Sequence, residues 1–327
     1  MPRQGMEAPV HLFRTPRLGP GFRGGERKRA VVLLAAGVAA LGVAIVTAHA
    51  QAAGGFKPMG WTEFRARYAP WPKPDAKIAY GPGPQQFGEL WLPEGDGPHP
   101  LVVRIHGGCW TKSVATLNIM NPAAADLRRR GLAVWNIEYR GVDEPGGGYP
   151  GTYQDVAAAL DRVGGFADEA KLKLDRVVVA GHSAGGHLAL WTAARRKIAS
   201  GPLARRSGLP VEAVMAIGAI PNLETDTNTA CGVDSVEKMV GPARLGGRYG
   251  DTSPAHMLPL RTRQIVVVGA NDTTTPPAIS AAYVSRAKAA GDRIEYRLLP
   301  DAAHAEEIAP GTPGWDRIAP LIEKLAK

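Results

Sequence analysis

Short apolar runs rich in β-branched residues recur from residue 101 onward, at 101–105, 133–138, 176–180, 213–219, 265–269 and 293–299. Runs such as Val266-Val267-Val268 have no polar face, as expected of strands covered on both sides in a parallel sheet. Stretches with helical spacing of apolar residues separate them, at 123–130, 153–168, 187–197, 278–290 and 315–326. Strand and helix in alternation build βαβ units. The pattern therefore predicts an α/β protein with a mostly parallel sheet, helices on both faces, right-handed crossovers and ligand loops at the carboxyl ends of the strands.

Two segments break the alternation. Residues 77–80 and 87–92, separated by Gly81-Pro82-Gly83-Pro84, read as an antiparallel pair at a sheet edge. The stretch before them, 51–86, is rich in Gly, Pro and aromatics (Trp61, Phe64, Tyr68, Trp71) and reads as an irregular arm. Residues 221–263 are too long for a plain link between two strands; a cap insertion with a short helix at 235–240 is the expected reading. The layout expected is a leader at 1–50, the arm at 51–86 and an α/β domain at 87–327.

Composition changes the picture mainly at the N-terminus. The 327-residue chain has a formal charge of +9, and the first fifty residues, with seven basic and two acidic side chains, carry +5 of it. Residues 30–48 are uncharged, follow Arg27-Lys28-Arg29 and end in Ala48-His49-Ala50. A basic region, an apolar region and a small-x-small site read as a secretory signal peptide, with an uncleaved membrane anchor as the alternative. No basic stripe interleaved with aromatics follows, so nucleic acid is not an expected partner. Export permits a disulfide, and Cys109 and Cys231, the two cysteines of the chain, fall in loops expected near one end of the sheet. They are a candidate bridge.

Candidate chemistry centres on Gly181-His182-Ser183-Ala184-Gly185 between the strand 176–180 and the helix 187–197. This is a G-x-S-x-G in the strand–turn–helix context of a nucleophile elbow. A serine hydroxyl needs a base, and the base needs a carboxylate to set its tautomer. The elbow places the acid and then the base downstream, each after a strand. Asp272 follows 265–269 and His304 follows 293–299. Asp234, Asp251 and Asp301 are rival acids. His106-Gly107-Gly108-Cys109-Trp110 follows the first parallel strand and suits an oxyanion loop, with the N–H of Ala184 as a further donor. His106 is expected to anchor that loop. His182 and His187 are expected to pack or to shape the pocket, while Trp110, Tyr149 and Tyr153 are open between lining the pocket and packing. Glu224 and Asp226 are too sparse for a metal site.

The His-Gly-Gly-Cys-Trp and Gly-His-Ser-Ala-Gly-Gly-His pair, within 87–326, resembles the α/β-hydrolase superfamily. Within it the pair is similar to the esterase/lipase and kynurenine-formamidase-like branch, related to hormone-sensitive-lipase-type esterases. The resemblance implies a serine hydrolase without cofactor or metal, acting on small-molecule carboxylic esters or small amides. It carries Ser183 as nucleophile, Asp272 as acid and His304 as base. In similar H-G-G-G esterases the second and third positions after His donate to the oxyanion. Here these are Gly108 and Cys109, and the cysteine departs from that pattern toward the formamidase-like variants. The reading is an exported serine hydrolase of small acyl esters. A small-amide hydrolase and an inactive binding module of the same fold are the alternatives.

Overall fold

The two faces of each strand send alternate side chains into separate cores, and this decides which helices cover which side. The computed structural model describes residues 56–204, 208–226, 231–242 and 247–327; the leader expected at 1–50 lies outside them. The strands are β1 (Ala76–Ala79), β2 (Phe87–Trp91), β3 (His99–Ile105), β4 (Ala133–Ile137), β5 (Leu172–His182), β6 (Ala213–Ile217), β7 (Arg263–Gly269) and β8 (Ile294–Leu299). They form one sheet in the order β1-β2-β4-β3-β5-β6-β7-β8. β1, β2 and β4 pair antiparallel, and every neighbour from β4 to β8 is parallel.

The helices are α1 (Trp61–Arg67), α2 (Asn121–Arg129), α3 (Gly151–Arg162), α4 (Ala184–Ala194), α5 (Gly232–Val240), α6 (Pro277–Ala289) and α7 (Pro313–Ala326). Leu101, Val103 and Ile105 of β3 belong to one core with Val156 and Leu160 of α3, Leu188 of α4 and Val284 of α6. Val102, one residue out of phase, packs on the other side with Leu127 of α2 and with Trp315, Ile318 and Ile322 of α7. Each such side chain contributes roughly 1.5–3 kcal/mol when fully buried. The result is the expected sheet between two helical layers.

The differences lie at element ends and in the arm. β6 stops at Ile217, short of the expected 219, because Gly218 turns the chain at φ +49°. α3 runs from 151 to 162 instead of 153–168, giving way to a 3₁₀ turn over Val163–Gly165, a weak helical sequence with two glycines. α4 begins at Ala184 rather than 187, directly behind the nucleophile candidate. The arm is not wholly irregular: α1 forms there because Phe64 finds a small core of its own with Met59, Ile119, Met120, Ala305 and Ile308. That core seats the arm against the loops after β3 and β8, which frame the site.

Candidate active site

Ser183 stands between β5 and α4 with φ +57° and ψ −124°, a conformation L-residues rarely adopt and one that costs of order 1–3 kcal/mol. The surroundings hold it there. Its N–H donates to the carbonyl of Ile217 at 2.8 Å. A side chain on Gly181 would collide with the carbonyl of Gly185, and one on Gly185 with those of Ile105 and His106. Both glycines of the motif are therefore required by close backbone approach.

His304 Nδ1 lies 2.7 Å from Asp272 Oδ2. Asp272 Oδ1 accepts the N–H groups of Thr274 and Thr275 at 2.8 and 2.9 Å, and the Thr275 hydroxyl reaches Oδ2 at 2.7 Å. Burial pushes the Asp272 carboxyl up, but the His304 ring and Thr275 outweigh it and hold the pKa below the ordinary value. An ionised Asp272 fixes the proton of His304 on Nδ1 and leaves Nε2 as the basic nitrogen. Of the rival acids, Asp251 meets Tyr149 and Asp301 an exposed Arg317; neither contacts His304.

Ser183 and His304 line one cavity of about 450 Å³. Gly108 and Cys109 form part of its wall, with Trp61 and Arg65 of α1, Val114 and Ile119, Cys231 at the start of the cap helix α5 and Ser235 within it. The arm and the 221–263 insertion thus both contribute. Ala184 is the first residue of α4, so its N–H is among the donors a helix start leaves unpaired. Gly108, Cys109 and Trp110 all take positive φ, at 100°, 56° and 54°. Cys109 is bonded to Cys231 with Cα atoms 4.9 Å apart, which ties the candidate oxyanion loop to the cap.

His106 anchors its loop. Nε2 lies 2.6 Å from Glu138 Oε1, and the ring stacks on Tyr139 with centroids 4.3 Å apart. Glu138 is pushed up by burial, but His106 and the N–H groups of Leu117 and Tyr139 hold it below its ordinary value. Trp110 and Tyr153 are fully buried and pack rather than line the cavity; the Trp110 indole donates to the carbonyl of Ala184. His187 is buried, its pKa lowered by burial to about 4, with Nε2 at 2.8 Å from the carbonyl of Thr252.

One buried group was not legible in the sequence. Glu307, following His304 in His-Ala-Glu-Glu, turns its carboxyl under the His304 ring. With His182 and His304 it is, among the described residues, the cluster whose ligand-type atoms lie within 4.8 Å of one another. Those atoms already face protein partners: His304 Nδ1 meets Asp272, and His182 Nε2 the carbonyl of His304.

The sequence profile of the BD-FAE family matches residues 89–278. The chain belongs to the BD-FAE family. This is an esterase family of the α/β-hydrolase superfamily, and the matched stretch holds the His106 loop, Ser183 and Asp272. Over 139 residues the chain is 28% identical to a probable isoprenylcysteine alpha-carbonyl methylesterase of Arabidopsis thaliana, covering 42% of this chain and 27% of that protein. Esterase B of Lactobacillus rhamnosis superposes with a TM-score of 0.68 at 21% identity, covering 89% of this chain and 95% of that one. A bifunctional GH43-CE protein of Bacteroides eggerthii gives 0.64 at 22% identity, covering 77% of this chain and 35% of that one. The chain thus spans 27% of the curated relative and 35% of the bifunctional protein. The two solved structures share its fold.

Proposed function

We propose that this chain is an exported serine hydrolase that cleaves carboxylic esters of small acyl groups. The observation that carries this reading is the 2.7 Å His304–Asp272 pair opening onto the same cavity as a serine held at positive φ. Ser183 attacks the ester carbonyl while His304 Nε2 takes its proton, and Asp272 stabilises the imidazolium. The N–H groups of Gly108, Cys109 and Ala184 receive the oxyanion, a contribution of a few kcal/mol per donor. His304 then protonates the leaving alcohol, and water repeats the cycle on the acyl-enzyme. A cavity of about 450 Å³ suits a short or compact acyl group. Export rests on the basic and apolar pattern before Gln51.

A panel of p-nitrophenyl esters and matched amides tests the reading. Acetate and butyrate should turn over, and Ser183→Ala should lower kcat/KM by at least about a thousandfold. Preference for the amides would move the assignment to the amide branch. Equal rates for wild type and Ser183→Ala would end it.

A further inference from the structure

Beneath the His304–Asp272 pair lies a second carboxyl that the reaction as drawn does not use. Glu307, in the 3₁₀ turn Glu306–Ile308, is fully buried. Its Oε1 accepts the N–H of Gly269, the last residue of β7 and the beginning of the Asp272 turn, at 2.7 Å. Its Oε2 lies 3.3 Å from Nε2 of His182, the residue before Ser183, and 3.8 Å from Nδ1 of His304. His182 Nε2 sits 3.0 Å from the carbonyl oxygen of His304. Gly218, at φ +49°, closes the remaining side; a side chain there would collide with Oε2 and come 3.2 Å from His304 Cε1.

Packing alone does not explain this group. A buried carboxyl whose second oxygen lacks a well-formed hydrogen bond costs stability that an apolar residue of similar size would not. Yet the side chain touches the turn that carries Asp272, the elbow that carries Ser183 and the loop that carries His304. We propose that Glu307 is a positioning residue for His304, tying these three loops together so that the imidazole stays between Ser183 and Asp272. The proposal rests on the triad reading given above.

The ionisable groups facing Glu307 are His182 on the elbow, Asp272 on the turn after β7, and His304 and Glu306 on its own loop. Burial, and then the charge of Asp272, push the Glu307 carboxyl well above its ordinary range against the opposing Gly269 N–H. Oε1 thus accepts from Gly269, and Oε2 faces the N–H that His182 Nε2 turns to the carbonyl of His304. Glutamine keeps the length of the side chain and the acceptor for Gly269, alanine removes both, and aspartate is one methylene too short to span the three loops.

Glu307→Gln, Glu307→Ala and Glu307→Asp are compared with wild type and Ser183→Ala on p-nitrophenyl acetate. The downfield Nδ1 proton of His304, read by NMR, reports ring geometry without turnover. Glu307→Gln should keep kcat within about threefold, with the acidic limb of the kcat/KM pH profile and the Nδ1 resonance in place. Glu307→Ala should lose about a hundredfold in kcat at nearly unchanged KM, and its Nδ1 resonance should shift or broaden. If alanine does not fold, Glu307→Asp carries the same two readouts. Wild-type kcat and an unshifted resonance in the alanine or aspartate variant would overturn the proposal. So would a glutamine variant as impaired as alanine, or one whose acidic limb moves to lower pH, since either would give Glu307 a role as a charge. Equal activity of wild type and Ser183→Ala would instead count against the hydrolase reading, leaving the resonance to decide the role of Glu307.

Discussion

The three histidines nearest Ser183, all buried, differ in their partners. His304 borders the cavity and is paired with Asp272; His182 also meets the cavity wall but turns Nε2 to the carbonyl of His304, and His187 is sealed in the interior. Burial, with the His304 and Arg104 charges, drives His182 well below its ordinary pKa, and burial alone takes His187 to about 4. His187 is therefore neutral in the folded protein near pH 6, while the same side chain in the unfolded chain takes up a proton. Stability is consequently full above about pH 6.5 and falls as the pH drops toward 4. For His187 the span from its ordinary 6.5 to about 4 corresponds to roughly 3 kcal/mol. Urea unfolding between pH 7 and 4 should show this loss, with a shallower slope in His187→Gln. Equal slopes would contradict the account of His187.

At the scale of elements, the loop after β3 and the cap helix α5 are joined by Cys109–Cys231, two cysteines 122 positions apart in the sequence. Closing a loop of that length restricts the unfolded chain by about 4–5 kcal/mol in the chain-entropy picture. The bridge also begins at a proposed oxyanion donor. Cys109→Ser/Cys231→Ser should lower Tm by about 10 °C and, at temperatures where the variant is still folded, reduce kcat more than KM changes. Unchanged kcat would show that the loop keeps its shape without the bridge. Two free thiols in the denatured, unreduced wild-type protein would show that the bridge is not made. The pairing was a candidate in the sequence because both cysteines fall in loops at one end of the sheet. Its closeness to the cavity depends on how the cap folds back, which no local pattern encodes.

At the scale of the whole molecule, the parallel sheet was readable because Val177–Ala180, Ala213–Ile217 and Val266–Val268 are apolar on both faces, which few other structures accommodate. Ser183, Asp272 and His304 were singled out because they follow β5, β7 and β8 in the order a nucleophile elbow requires. Glu307 was not. A Glu three residues after a His in a loop is ordinary, and only the packing of β5, β7 and the 306–308 turn brings it under the ring. α1 was hidden for a related reason: its seven residues show one buried side chain, Phe64, too few to display a helical period. The N-terminal pattern makes a prediction at this scale too. Expressed in a bacterium with its full leader, the protein should be recovered outside the cytoplasm with its N-terminus at Gln51. Recovery of the unprocessed chain in the cytoplasmic fraction would contradict export.

The central claim is that Ser183 is activated by His304 and Asp272. A fluorophosphonate reacts with an activated serine and leaves ordinary hydroxyls untouched. Incubated with the purified protein, it should add one phosphonyl group per chain, located by peptide mass spectrometry on Ser183, and ester hydrolysis should fall in step with labelling. Label elsewhere, or full esterase activity in protein that carries no label on Ser183, would contradict it.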